Sequence, residues 1–244
     1  MTLLPEHEEE FDLDARARAE QLVDSGLSER IAAACRGSAN PAALAWLAEG
    51  LGIEIDSKVV DLGGGLGGPA AWIERRYLCR VVVLDPAEGA CDGARQLFRL
   101  AVVRGDAEDP PFQKDAFDCS LLLGTISVLS DPVKAITAAS EVSDRLGILD
   151  YCSATDETVC AGGSTFVSES SLLSMVERCG WTLGHHGPLT LPTPQTWREA
   201  AVQGEPSESE QEVADAIRNG EITPVVLIAM RHVSGSPEQG MATP

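Results

Sequence analysis

From residue 59 to residue 69 the chain reads Val59-Val60-Asp61-Leu62-Gly63-Gly64-Gly65-Leu66-Gly67-Gly68-Pro69. A short β-branched run enters a turn crowded with glycine and leaves it as a helix. Pro69 suits that helix's first turn, because its fixed φ is already helical. Glycine reaches positive φ at little cost and carries no Cβ to hold a ligand away from the backbone. The helix start beyond it offers amide groups that have no intrahelical partner.

Outward from this turn the same rhythm repeats. Lys58–Leu62, Arg80–Leu84, Leu100–Arg104, Phe117–Leu123 and Leu146–Leu149 read as strands, and Trp181–His186 and Pro224–His232 as the last two. Pro69–Tyr77, Gly89–Leu97, Asp131–Val142 and Ser168–Cys179 read as helices, with Asp131 and Ser168 as caps. Apolar strands alternating with helices predict an α/β fold, a Rossmann-like doubly wound sheet covered on both faces. Residues 1–50 predict an N-terminal helical segment: around Leu13–Val23, near Ser28–Cys35, and Pro41–Glu49 with Ser38 or Asn40 as cap. Residues 51–232 form the main domain. Within it, residues 187–223 break the rhythm and predict a helical insertion between the last two strands, with Trp197 placed to line a pocket. Residues 233–244 read as a disordered tail.

The 244 residues are 44% hydrophobic, enough for a substantial core, and carry 18 Lys+Arg against 38 Asp+Glu, a net charge of −20. Such a surface repels phosphate backbones and anionic lipid, so neither a nucleic acid nor a membrane is expected as partner. The start lacks a basic n-region, and no apolar run approaches the ~20 residues a spanning helix needs. Seven cysteines without a CxxC spacing read as the reduced, mostly buried thiols of a cytoplasmic protein. No metal is expected, since no three convergent ligands stand out. Association into a homodimer stays open.

The glycine turn satisfies two patterns. Gly63-x-Gly65-x-x-Gly68 is the dinucleotide fingerprint. Asp61-x-Gly63-x-Gly65-x-Gly67 is the acidic-plus-glycine pattern of S-adenosylmethionine (SAM) sites. A pyrophosphate at this turn would be repelled by Asp61, whereas SAM has no phosphate and presents an ammonium. Asp85, 24 residues further on, ends the second strand, where a carboxylate can accept ribose hydroxyls. That feature fits either cofactor. Gly105-Asp106-Ala107-Glu108 follows the third strand.

With DLGGGLGG at 61–68, VLDP at 83–86, GDAED at 105–109 and FDCSLLLGTISVLSDP at 117–132, the chain resembles a class I SAM-dependent methyltransferase. The type is the small-molecule one related to ubiquinone and menaquinone biosynthesis methyltransferases. The resemblance covers roughly residues 58–186 and the last strand. It implies a seven-stranded sheet with an antiparallel last strand, SAM as cofactor and a small-molecule acceptor. By position it implies that Asp61, Gly63, Gly64 and Gly65 line the methionine and ribose end. Asp85 would hold the ribose hydroxyls with Pro86 beside the adenine. Asp106 and Ala107 would read the adenine edge, and Leu123, Gly124 and Thr125 would lie under the sulfonium. One departure stands out: the family's Pro-Gly-Gly turn before the fifth strand is replaced by a shorter turn over residues 142–146.

Methyl transfer is an in-line displacement in which alignment and dryness do much of the work, and a base is needed only for a protonated acceptor. Ligands sit at the carboxyl ends of the strands, which places Thr125, Ser127, Asp150 and Tyr151 on the acceptor side. His185 or His186, at the end of the sixth strand, is the candidate general base, and Tyr151 the candidate to orient an acceptor. Two other readings stay open: a protein of the same fold that binds SAM without methylating, and, disfavoured by Asp61, an NAD(P)-dependent oxidoreductase. The acidic N-terminal segment is either a lid over the cofactor or only a tail.

Overall fold

A computed structural model describes residues 5–35, 38–188 and 207–231. Three helices come first: α1 (Pro5–Leu22), α2 (Leu27–Ala33) and α3 (Pro41–Gly50). The Asn40 side chain caps α3, accepting from the amides of Ala42 and Ala43 at 3.0 and 3.1 Å. Strands and helices then alternate as β1 (Lys58–Leu62), α4 (Gly68–Tyr77), β2 (Arg80–Asp85), α5 (Glu88–Phe98), β3 (Ala101–Arg104), β4 (Phe117–Leu123) and α6 (Pro132–Val142). The second half holds β5 (Ser143–Ser153), β6 (Val159–Ala161), β7 (Ser164–Phe166), α7 (Glu169–Arg178), β8 (Trp181–Pro188), α8 (Glu208–Arg218) and β9 (Ile222–Arg231).

The main sheet has seven strands in the order β3-β2-β1-β4-β5-β9-β8. β1 through β5 pair in parallel, and β9 inserts antiparallel between β5 and β8. The expected doubly wound sheet with an antiparallel last strand is therefore present, with that strand inside the sheet. Successive strand residues feed opposite cores. Val59, Val81, Val83 and Leu121 pack with α1 to α5, while Val60, Leu84, Leu122 and Leu146 pack with α6 and α7. Burial on both faces is why these strands read as continuous apolar runs.

Three local expectations are corrected. There is no turn over residues 142–146, because α6 ends at Val142 and β5 starts at Ser143. At this switch the buried Ser143 hydroxyl bonds the Ser120 hydroxyl at 2.8 Å and donates to the Ala139 carbonyl at 3.2 Å. The N-terminal helix begins at Pro5, earlier than its apolar spacing indicates. Its Ala15, Ala19 and Leu22 are buried, and it packs on α5, where Gly89 and Gly93 leave the space. Asp12 accepts from the Gly89 amide at 2.5 Å and from Arg16 at 2.9 Å. Third, β6 and β7 form a hairpin in a stretch that had no assigned structure.

The helical insertion expected between the last two strands is represented by α8. Trp197 and the tail lie outside the described residues, and the described helices include none long and apolar enough to cross a membrane.

Candidate active site

The sheet's strand order reverses between β1 and β4, and there the carboxyl ends of the strands border a cavity of about 500 Å³. Its base is the glycine turn with Asp61, Asp85, Pro86 and Leu123 to Thr125. One wall is α1, through Phe11, Asp14, Ala15 and Arg18, together with Ala33 and Ala34. The far end is built from Ser127, Asp150, Tyr151, the β6–β7 hairpin and the start of α8.

The turn is held open by backbone bonds. The amides of Gly63 and Gly64 both donate to the Leu84 carbonyl, at 2.7 and 3.2 Å. Gly63 has φ 77°, and a Cβ on it would come within 2.6 Å of Thr125 Cγ2. Thr125 is itself pinned, its hydroxyl donating to the Leu62 carbonyl at 3.1 Å. No side chain fits at residue 63 without moving Thr125.

Asp85 ties the turn to the next helix. Its Oδ2 accepts from the Gly65 amide and its Oδ1 from the Ala87 amide, both at 2.9 Å. Burial raises its pKa to about 6 in spite of those two donors. Asp61, one strand away, is different. It is fully buried, and neither of its oxygens has a hydrogen-bond partner among the described residues. Burial, with Asp85's charge adding to it, raises its pKa to about 7. A buried carboxylate without a partner is costly, and a cation delivered into the cavity would relieve that cost.

Asp150 is buried and satisfied. It accepts from the amide and hydroxyl of Ser127, at 3.2 and 3.0 Å, and from the Tyr151 amide at 2.7 Å. It braces the short 3-10 turn Ile126–Val128 against the end of β5. Burial, then the Asp150 charge, pushes the Tyr151 phenol above its ordinary pKa, so the hydroxyl stays a donor at neutral pH. The Tyr151 ring meets Phe166 of the hairpin edge to face, with centroids 6.5 Å apart.

The structure gathers most of the expected cofactor residues: Asp61, Gly63, Gly64, Gly65, Asp85, Pro86, Leu123, Gly124 and Thr125 all border the cavity. Asp106 and Ala107 do not. Asp106 turns back to accept the Glu108 amide at 2.9 Å, and Ala107 packs beside Leu84 and Leu122 in the core. Of the acceptor-side candidates, Tyr151 borders the cavity, and His185 and His186 do not. The register explains the difference. His186 pairs with Leu227, and Leu227 with Ile148, so His186 lies level with the body of β5 and not with its carboxyl end. It also lies two strands from β5, about 10 Å sideways. His186 Nδ1 instead sits 3.1 Å from Glu169 of α7, and His185 packs edge to face on Trp46 of α3.

Sequence reasoning missed the walls. The hairpin carried a legible signal, since Gly162 and Gly163 between two short runs form the two-residue turn with positive φ at both positions. Nothing local marks Phe11, Arg18 or Glu210, which reach the cavity only because α1 and α8 dock across it. Among the described residues no group of three His, Cys, Asp or Glu is placed to hold a metal ion.

Residues 60–149 match the family model described as a methyltransferase domain. The resemblance carried by the glycine turn is thus borne out over that stretch. The chain is 37% identical over 94 residues to 2-methyl-6-phytyl-1,4-hydroquinone methyltransferase 2, chloroplastic, of Oryza sativa subsp. japonica, covering 37% of this chain and 27% of that protein. This chain therefore spans about a quarter of that relative's length. In three dimensions it is similar to geranyl diphosphate C-methyltransferase from Streptomyces coelicolor A3(2), solved with Mg2+, geranyl diphosphate and S-adenosyl-L-homocysteine (TM-score 0.64, 18% identity, 78% of this chain and 79% of that one). It is also similar to the 4+2 cyclase SpnF (TM-score 0.68, 14% identity, 90% of this chain and 97% of that one). These likenesses establish the Rossmann-like methyltransferase fold. The stretch matched by the family, residues 60–149, holds most of β1, all of β2 to β4 and most of β5, whereas α1, the hairpin and α8 fall outside it.

Proposed function

We propose that the chain transfers a methyl group from SAM to a small-molecule acceptor by in-line displacement. Asp61 carries the reading: a buried carboxylate without a partner among the described residues, beneath a glycine turn, at the base of a cavity. A pyrophosphate there would be repelled, and an ammonium would complete the site. Asp85 fits the ribose hydroxyls, because each of its oxygens accepts one amide and keeps a free lone pair. The family match over residues 60–149 and a fold neighbour solved with S-adenosyl-L-homocysteine support the same cofactor.

When bound, SAM supplies an electrophilic methyl group on a sulfonium and leaves as the neutral thioether. The rest falls to the chain. Leu123 to Thr125 form a shaped base, Asp61 holds the ammonium and Asp85 orients the ribose. α1, the hairpin and α8 keep water out, which strengthens each electrostatic contact inside. Tyr151, protonated and facing the cavity, donates a hydrogen bond that orients the acceptor. Neither His185 nor His186 borders the cavity, so neither is placed to take a proton from an acceptor bound there. The reading places the reaction in the cytoplasm, where its seven unpaired cysteines stay reduced.

Two observations favour a second reading, cofactor binding without methylation: both histidines lie off the cavity, and a fold neighbour matching 90% of the chain is a cyclase. Thermal unfolding with SAM, S-adenosylhomocysteine, NAD or NADP tests the cofactor, because a ligand of the native state raises the midpoint. A rise with SAM and S-adenosylhomocysteine is expected, and Asp85→Ala weakens that binding at least tenfold. A rise with a nicotinamide cofactor alone overturns the proposal. Incubation with methyl-labelled SAM and an acceptor panel then separates transfer from binding alone.

A further inference from the structure

Both histidines lie off the cavity, yet a buried carboxylate borders it at the acceptor end. Ser127 follows Thr125 by two residues, and it and Asp150 both line the cavity. The Ser127 hydroxyl donates to Asp150 Oδ1 at 3.0 Å, and the Ser127 amide donates to Oδ2 at 3.2 Å. The single proton of that hydroxyl is thus spent on the carboxylate, and what the oxygen still offers is lone pairs. The Tyr151 hydroxyl, protonated at neutral pH, offers a donor. A hydroxyl group entering this end of the cavity therefore meets one group that donates to it and one that accepts its proton. Asp150 is 1% exposed. Burial raises its pKa even though the amides of Tyr151, Ser127 and Ile126 and the Ser127 hydroxyl all act to lower it. A carboxylate held in this way is a stronger base than one in water.

We propose that Ser127 and Asp150 form the proton relay of the methyl transfer, with Ser127 touching the acceptor and Asp150 acting through it, and that the acceptor is a hydroxyl compound. The acceptor's oxygen forms its bond to the methyl carbon while the carbon–sulfur bond breaks, its electron pair staying on sulfur. The acceptor's proton passes to Ser127 Oγ, and the proton already on Oγ passes to Asp150 Oδ1. A sulfonium cation and a carboxylate disappear in one step, and the ether, the thioether and the carboxyl group left behind are all neutral. Burial favours that outcome over a proton stranded on the methylated oxygen. A hydroxyl needs such a base, because its neutral oxygen is a poor nucleophile, whereas a group that attacks through a bare lone pair does not. The proposal rests on the methyl-transfer reading.

Two probes of similar body test it: 2-naphthol, whose oxygen loses a proton on methylation, and isoquinoline, whose ring nitrogen has none to lose. With methyl-labelled SAM and the full chain, wild type is expected to methylate both. Ser127→Ala should slow transfer to 2-naphthol by about a hundredfold and transfer to isoquinoline by less than about threefold. Ser127→Thr, which returns the hydroxyl, should bring the 2-naphthol rate back to within about fivefold of wild type. Asp150→Asn should show the same split between the probes; it also loosens the turn it braces, so Ser127→Ala decides if that variant does not fold. A purely structural role would slow both probes alike. A second readout needs no turnover. Excited 2-naphthol is a strong acid, and in a dry site it emits as naphtholate only where a proton acceptor lies within reach. Titrated with S-adenosylhomocysteine present, the bound probe should emit as naphtholate in wild type and as neutral naphthol in Ser127→Ala. Where either probe is not methylated, this emission decides. Equal losses on the two probes, no loss on 2-naphthol, neutral emission from the wild-type complex, or failure of wild type to bind 2-naphthol overturns the proposal. The midpoint shift with S-adenosylhomocysteine is read separately: its absence sinks the cofactor reading, whereas a normal shift with naphtholate emission unchanged in Ser127→Ala sinks the relay alone.

Discussion

Replacing Asp61 by Asn removes a charge and keeps the shape, and the structure says that this should stabilise the ligand-free protein while disabling it. Asp61 is 0% exposed, and among the described residues neither of its oxygens has a partner. Burial and the nearby Asp85 raise its pKa from the ordinary 3.8 to about 7. At 1.36 kcal/mol per pH unit, that rise corresponds to about 4 kcal/mol of destabilisation when the group is ionised. Below pH 3.8 the carboxyl is neutral in both folded and unfolded chains, and the penalty is absent. The penalty grows as pH rises, because folding then requires proton uptake, and it is complete above about 7. An unpartnered amide and an unpartnered protonated carboxyl cost comparable amounts, so the two proteins should match near pH 4. After an allowance for relaxation and water entry, Asp61→Asn should gain about 2–4 kcal/mol near pH 8. Urea unfolding at the two pH values reads this directly, as a midpoint about 1 M higher for the variant at the upper pH. The same variant should bind S-adenosylhomocysteine at least tenfold more weakly. A variant no more stable than wild type near pH 8 would refute the reasoning, since the carboxylate would then have a stabilising partner in the folded chain.

Three further outcomes are expected. The affinity of wild type for S-adenosylhomocysteine, measured by calorimetry, should rise with pH up to about 7 and then level off, because the ammonium needs the ionised Asp61; Asp61→Asn should flatten this dependence. Gly63→Ala puts a Cβ within 2.6 Å of Thr125 Cγ2 at a φ of 77°, and should cost about 2–4 kcal/mol from overpacking and the left-handed backbone together. Adding Thr125→Ser, which removes that methyl and keeps the hydroxyl bond to Leu62, should recover about 1 kcal/mol in urea unfolding, and no recovery would locate the strain elsewhere. His185→Ala and His186→Ala should each leave labelled-methyl transfer within about twofold of wild type, whereas a loss of about a hundredfold at unchanged cofactor affinity would restore that histidine as the base.

The elements that formed as read are those whose signals are local. Val59 and Val60 announce a strand buried on both sides, Gly63 to Gly68 a turn, and Asn40, Asp131 and Ser168 the helix caps that the structure bears out. Asp61 and Asp85 are legible because they lie at or next to the ends of adjacent parallel strands, paired so that Asp61 stands opposite Val83. The hairpin at residues 159–166 was just as legible from Gly162-Gly163. The junction of α6 and β5 was not, because a helix that passes straight into a strand leaves no turn residue to read; the buried Ser143 hydroxyl at the junction bonds Ser120 on the neighbouring strand.

The sequence by itself determined the order and type of the elements, the glycine turn and the two carboxylates beneath it, since periodicity, turn chemistry and spacing act over a few residues. Only the tertiary structure decided which side chains share the cavity. Insertion of β9 between β5 and β8 carried His185 and His186 away from it. Docking of α1 on α5 and of α8 beside the hairpin brought Arg18 to Glu210 across 192 residues. Register and docking are settled by contacts between segments far apart in the chain, whose energies appear only once the apolar faces of those segments have met.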